Sequence, residues 1–302
     1  MKKIIIIISI IVLIILPIIG FTNHRYDNSA FEKITKKDFP YRSFRMKIGE
    51  ELNIKNAINT AKEKIEKASS LRSVYDDLKM KGGKVDRWII SQLGEIVNNQ
   101  KSIDYVYSSD CTLLTHTIVK MGNGNKDFRI EYENIIYSLL KEGADSNLSY
   151  PLRAAIDSRG KYLSVALLLC GADPNQVREQ SDSEYHYLKH YFPKTALATA
   201  IDEDLLIPSK LVHRSVPLFS ENLNDGKFEF IKLLIAAGVD ANIEKRDVSE
   251  KLIKYSENRD NSYTSPTEIL NMLLFVGFDT RDLSALDLSL IHISEPTRLR
   301  RI

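Results

Sequence analysis

The amino-acid sequence predicts an all-α chain of helix–turn–helix units stacked into a solenoid, with a helical cap at the N-terminal end. Two recurring strings and one periodicity carry this expectation. The first string is two adjacent apolar residues, two further positions, a Gly, and an Asp two residues on. It occurs as Leu139-Leu140-Lys141-Glu142-Gly143-Ala144-Asp145, Leu167-Leu168-Leu169-Cys170-Gly171-Ala172-Asp173, Leu234-Ile235-Ala236-Ala237-Gly238-Val239-Asp240 and Leu273-Leu274-Phe275-Val276-Gly277-Phe278-Asp279. Three copies continue to Asn147, Asn175 and Asn242. The second string precedes the first: Thr112-Leu113-Leu114-Thr115-His116-Thr117, Tyr150-Pro151-Leu152-Arg153-Ala154-Ala155 and Thr195-Ala196-Leu197-Ala198-Thr199-Ala200, with a cut-off copy at Ser284-Ala285-Leu286-Asp287. Ile135/Ile136, Leu163, Phe230/Ile231 and Ile269/Leu270 fall at helical spacing from the apolar pairs, so each first string closes a helix. Gly143, Gly171, Gly238 and Gly277 stand where those helices end in left-handed backbone, open to Gly without a Cβ penalty.

Taken in chain order, residues 1–21 come first. Lys2 and Lys3 precede an apolar run from Ile4 to Leu16, broken only by Ser9; Pro17 and Gly20 follow. This is the pattern of a bacterial-type secretory signal peptide. The stretch to Phe21 approaches the ~20 residues that span a bilayer, so an inner-membrane tether through residues 4–21 is the alternative. No Cys follows the run, which excludes a lipoprotein anchor. The chain is therefore expected in the periplasm, free or anchored facing it, ahead of full secretion. Residues 22–45 carry Asn23, Arg25, Asp27, Lys36, Lys37 and Pro40 and read as a linker. Residues 46–106 read as the helical cap. Ala57, Ala61, Ile65 and Ala68 share one face; Val85, Trp88, Ile89, Leu93 and Ile96 share another, across Lys81-Gly82-Gly83-Lys84. A solenoid's first unit leaves an apolar side that such a segment would cover.

Residues 107–287 hold the recurring units, about four plus a truncated one. Thr112 and Thr195 suit the cap of a short first helix, and Pro151 its first turn. Leu152, Leu197, Ala155 and Ala200 suit packing between helices. Leu139, Leu167 and Leu234, with Asp145, Asp173 and Asp240, complete the pattern. These strings resemble the T-P-L-H-x-A opening and L-L-x-x-G-A-D-x-N close of the ankyrin repeat, over roughly residues 108–287. The resemblance implies stacked helix pairs with a concave face that binds a protein partner. The second unit, Tyr150 to Gly171, has the family's length. The first and third are longer, with surplus at 121–129 and 204–227, and a long connection runs over 176–193. A first helix at 248–255 and a polar loop at 256–265 are expected in the fourth.

Residues 288–302 are expected to be foreign. Leu288 to Arg298 reads LSLIHISEPTR, which resembles a translated sequencing-library adapter. His292, Glu295, Arg298, Arg300 and Arg301 then carry no biology. This changes the charge argument. The formal charge is +2, a faint basicity that hints at nucleic acid or acidic lipid. Lys2 and Lys3 supply two of those charges and the tail a net two more, so the part between is −2. No basic, aromatic-interleaved stripe supports nucleic-acid binding.

Chemistry-bearing residues are sparse. His186 and His190, four apart, have metal-ligand spacing on a helix, but no second ligand pair lies nearby and the HExxH glutamate is absent. Tyr185, Tyr187, Tyr191 and Phe192 around them read as a partner-contact patch, since interfaces favour aromatic anchors. Cys111 and His116 lack an orienting third group and an oxyanion loop, so a structural role is expected. Two cysteines make no disulfide framework; Cys111 and Cys170 are read as thiols, with pairing in an oxidising compartment as the alternative. Gly122-Asn123-Gly124-Asn125 reads as a flexible turn, and the Lys/Glu run at 62–67 as a solvated helix face. The expected function is non-catalytic protein binding, without cofactor or metal. Alternatives are a periplasmic immunity protein that neutralises a toxin, a host-directed effector, and a metal binder or enzyme built on His186 and His190.

Overall fold

A computed structural model describes residues 48–80, 85–107, 111–123, 128–177, 195–203, 229–243, 245, 248–252 and 266–279. The regions 1–21 and 22–45 expected as signal and linker, the segments 178–194 and 204–228, and the tail 288–302 lie outside them. The described part is all-α, with no strand beyond one isolated bridge. Its helices are α1 Ile48–Lys67, α2 Leu71–Met80, α3 Arg87–Val97, α4 Leu113–Asn123, α5 Arg129–Lys141, α6 Pro151–Asp157, α7 Lys161–Leu169, α8 Glu229–Ala236 and α9 Pro266–Phe275. Helical turns also occur at 196–203 and 248–252. Among the described residues, no helix is long and apolar enough to cross a membrane.

Local chemistry sets the helix ends. Asp86 caps α3 by accepting from Trp88 N at 2.9 Å. Thr112 Oγ1 accepts from Thr115 N at 3.3 Å, and Thr195 Oγ1 from Ala198 N at 3.2 Å, each satisfying an amide that the helix leaves without a partner. Pro151 begins α6, where a missing N–H costs nothing. At the other ends, Gly143, Gly171, Gly238 and Gly277 have φ of 91°, 91°, 88° and 95°. Around Gly143, Ala144 N donates to Leu139 O and Gly143 N to Leu140 O; the same pair of bonds recurs at Gly171, Gly238 and Gly277. This is the Schellman closure, which absorbs the last carbonyls of the helix.

Packing joins these helices into one apolar core. α4 packs on α5 and α6, α6 on α7, and α7 on α8. Leu139, Leu152, Ala155, Leu167, Leu197, Ala200 and Leu234 are all buried, as are Pro151 and Thr195. α7 is apolar on every side because α6, α8 and α1 surround it. Gly122 and Asn123 continue α4 rather than forming a turn. A Cβ at Gly122 would collide with the Ser158 side chain, so glycine here lets α4 approach the end of α6.

The N-terminal region departs from the expected two-faced cap. It contains three helices, broken at 68–70. α2 stacks on α5 and α3 on α4, which covers the end of the first pair. α1 instead lies along the side, against both α5 and α7, burying Ala57, Ala61 and Ile65. The two alanines keep its inner face thin enough for close approach. Lys64 is not part of a solvated face: it pairs with Glu133 at 3.1 Å and sits over the rings of Tyr137 and Tyr162. The turn between α1 and α2 is clamped by two neighbours at the end of α5. Lys141 Nζ donates to the carbonyls of Glu66 and Ala68 at 2.9 and 2.5 Å, and Glu142 Oε1 accepts from Leu71 N at 2.7 Å. A cation meets the C-terminus of one helix and a carboxylate the N-terminus of the next, each favourable to the helix dipole.

A ladder of side-chain bonds aligns the turns that follow the glycines. Asn147 Nδ2 donates to Gly171 O at 2.9 Å while Asn147 Oδ1 accepts from Asp173 N at 2.6 Å. Asn175 does the same toward Gly238 O and Asp240 N, and Asn242 toward Gly277 O and Asp279 N. Asp145, Asp173 and Asp240 each accept from the backbone N–H of the Asn two residues on, at 2.8 to 2.9 Å. At the inner ends of the helices, Arg159 Nε donates to the buried carboxylate of Glu203 at 2.7 Å, linking the α6–α7 turn to 196–203.

Three substitutions test these joints. Nothing lies within 4 Å of where a Cβ at Gly171 would be, so Gly171→Ala should cost stability through its left-handed backbone alone, by about 1–2 kcal/mol. Asn147→Ala removes two rung bonds and should cost about 1–3 kcal/mol; Asn147→Asp keeps the acceptor but loses the donor and should recover only part. Urea unfolding of the three variants beside the parent measures both effects.

Candidate binding surface

Residues 98–107 and 111–112, between α3 and α4, form a short finger. α3 ends at Asn98–Asn99, with Asn99 left-handed at φ 57° and the amides of Gln100 and Lys101 turned back onto Glu95 O. The chain then rises and returns through an antiparallel bridge between Val106 and Thr112, with Tyr107 N donating to Cys111 O at 3.1 Å. Asp104 Oδ1 accepts from Asp145 N at 2.7 Å. It thus occupies the place that asparagines hold on later rungs and fixes the finger in line with the turn after α5.

A row of rings runs from the core out along the finger. The His116 ring lies 4.3 Å from Trp88, Trp88 lies 4.8 Å from Tyr107 edge-on, and Tyr107 lies 5.0 Å from Tyr105 edge-on. Edge-to-face packing sets the positive rim of one ring against the negative face of the next. Lys101 adds a cation over Tyr105 and Tyr107, at 4.5 and 4.9 Å, while pairing with Glu95 at 2.7 Å. The row opens to solvent at its end: Tyr105 is 44% and Val106 41% exposed. An exposed aromatic held rigid by its neighbours loses little entropy on contact with a partner, the property of an interface anchor.

Burial and one ion pair set the electrostatics of the cluster. Lys120 pairs with Asp86 at 2.9 Å and, with the Trp88 amide, holds the Asp86 carboxyl below its usual range. Burial and Lys120 lower the His116 imidazole, against a smaller pull from Asp86. Burial raises the Tyr107 phenol to about 12, with Glu95 and Tyr105 adding to it, and burial alone raises the Cys111 thiol to about 12. Burial that raises the Cys111 thiol this far disfavours the thiolate near neutrality. Cys111 and Cys170 are thiols. Among the described residues, His, Cys, Asp and Glu side chains nowhere gather in a group of three able to hold a metal ion.

The expected contact residues Tyr185, His186, Tyr187, His190, Tyr191 and Phe192 lie outside the described residues. Of the expected structural positions, Asp145, Asp173 and Asp240 stand exposed on the ladder edge. Sequence reading missed the finger. Its signal was present: Tyr105-Val106-Tyr107 are strand-favouring residues bracketed by Asp104 and the turn-forming Ser108-Ser109-Asp110. Trp88 was read only as one residue of an apolar cap face, although it is the ring that joins His116 to the finger.

The raised thiol and phenol predict an alkaline loss of stability. Their ordinary values are 9.0 and 10.0. Above these values the unfolded chain releases protons that the folded chain keeps, so stability falls as pH rises from about 9 toward 12. In Cys111→Val the first part of that fall should flatten, read as the melting temperature between about pH 8 and about pH 10.5. Set against models of protein families, against curated proteins and against solved structures, the chain matches none.

Proposed function

We propose that this chain is a non-catalytic, exported binding module of ankyrin type that captures a protein partner. The observation that carries this reading is the Asp–Asn–Gly ladder. Left-handed glycines at 143, 171, 238 and 277 end successive helices, and Asn147, Asn175 and Asn242 tie each following turn to the next. Turns held in line in this way present a row of projecting loops on one side of stacked helix pairs, the arrangement that repeat proteins use for extended binding surfaces. The aromatic finger at 101–107 begins that row. In this reading 176–193, with Tyr185 to Phe192, continues that row, while the insertions within 121–129 and 204–227, which fall between paired helices, add variable loops elsewhere on the stack, because loops vary while the stack holds. Export rests on Lys2, Lys3 and the apolar run Ile4–Leu16.

Capture from an envelope extract of the native cell tests the proposal. A tagged chain should retain one protein reproducibly. Tyr105→Ser with Val106→Ser, or Tyr185→Ser with Tyr187→Ser, should weaken retention by about tenfold or more, the weight of a buried aromatic anchor. Retention unchanged in both variants, at unchanged melting temperature, would sink the reading.

A further inference from the structure

His116 occupies an unusual position for a group that titrates near neutrality. Its Nε2 is buried and has no hydrogen-bond partner, and its ring rests on Trp88 at 4.3 Å. The titratable groups around it come from several elements. Asp86 precedes α3 and already accepts from Lys120 and from the Trp88 amide. Lys120 stands one turn further along α4. Tyr107 of the finger packs on the other side of Trp88, with Glu95 of α3 and Lys101 beyond it. From α5, Tyr132 Oη reaches Asp86 N at 3.4 Å. α6 meets α4 through Ser158, which donates to the Ile118 carbonyl. None of these supplies an acceptor to Nε2.

A proton added at Nε2 would create a buried N–H with no acceptor, and a cation near Lys120. Such a group leaves its site rather than bear that cost. His116 is half-buried, so Nε2 reaches water by an outward swing of the ring that loosens its seat on Trp88, and Trp88 is what Tyr107 and then Tyr105 lean on. We propose that the His116–Trp88 contact is a pH-operated latch on the finger: neutral His116 holds the row of rings in place, and protonated His116 releases Trp88, Tyr107 and Tyr105. The functional meaning rests on the binding reading above, since release would remove the Tyr105–Val106 contact from any partner. The latch itself is a property of the isolated chain. An exported domain meets the pH of its surroundings, which gives the device something to sense.

Trp88 is the sole tryptophan in the chain, so its fluorescence reports the latch directly. Emission and acrylamide quenching should be followed from about pH 8 to about pH 5. A transition toward red-shifted, more quenchable emission is expected, centred below the ordinary histidine value of 6.5, with far-UV circular dichroism unchanged. His116→Phe keeps the ring packing, cannot be protonated, and should abolish the transition. Amide exchange in the unmodified protein provides the second measurement. At the acid end, Lys101 to Tyr107 and Asp145, whose amide donates to Asp104, should lose protection while Asn147 to Gln176 retain it. The idea is overturned by a flat Trp88 titration, by a transition that survives in His116→Phe, or by finger and ladder amides opening together. Because no partner is needed, these outcomes are independent of whether capture succeeds.

Discussion

The architecture depends on a backbone problem and its solution. Each outer helix ends at a glycine whose carbonyl points away from the helix and has no partner within it. The next amide to need an acceptor belongs to the Asp two residues on. One asparagine, carried by the preceding turn, answers both with a single amide group: Nδ2 to the carbonyl, Oδ1 to the amide. Only Asn does this at that length, because Asp lacks the donor and Gln is one carbon too long. The separation between successive turns is therefore set by the reach of an Asn side chain. The helices fill the space behind that edge with Leu, Ile and Ala sized to fit.

Much of this was legible in the residues. Four glycines at the same offset from a Leu pair predict four helix ends, and buried Ala155 and Ala200 follow from packing between neighbours. Periodicity and turn chemistry are local and survive divergence. The parts that escaped are long-range. Asp104 sits outside every recurring string and yet supplies the first rung, because its carboxylate needs only to accept from Asp145 N. Lys141 and Glu142 occupy positions that the pattern leaves open, and their partners, Glu66, Ala68 and Leu71, lie far back in sequence. No spacing rule connects them. The role of Trp88 escaped for a related reason: its apolar face argued for the core, and only the fold reveals that its edge supports the finger.

The candidate surface combines rigidity with a single weak point. Aromatic edge contacts, a lysine over two rings and a backbone bridge hold Tyr105 and Val106 in place from three directions. The one contact that can change charge near neutral pH is at the root, where His116 meets Trp88. A partner touching Tyr105 would therefore feel a change more than one ring away from it, through packing, with Asp104 the one point where the finger meets the ladder.

Helix α1 introduces a different kind of constraint. Stacked helix pairs usually assemble neighbour by neighbour, each unit waiting only for the one before it. Here residues 48–67 leave the ribosome before α5 and α7, which form their seat and end at 141 and 169. α1 docks after two later pairs exist, and a long loop must close to bring it there. Once docked, it makes those two pairs one cooperative block, since opening either uncovers Ala57, Ala61 and Ile65. Among the described helices, α1, α5 and α7 thus form one closed block with a seam after α7. α8 lies beyond that seam, joined across it by the Asn175 rung and the Lys161–Glu229 pair, while α5 and α7 stand or fall with α1.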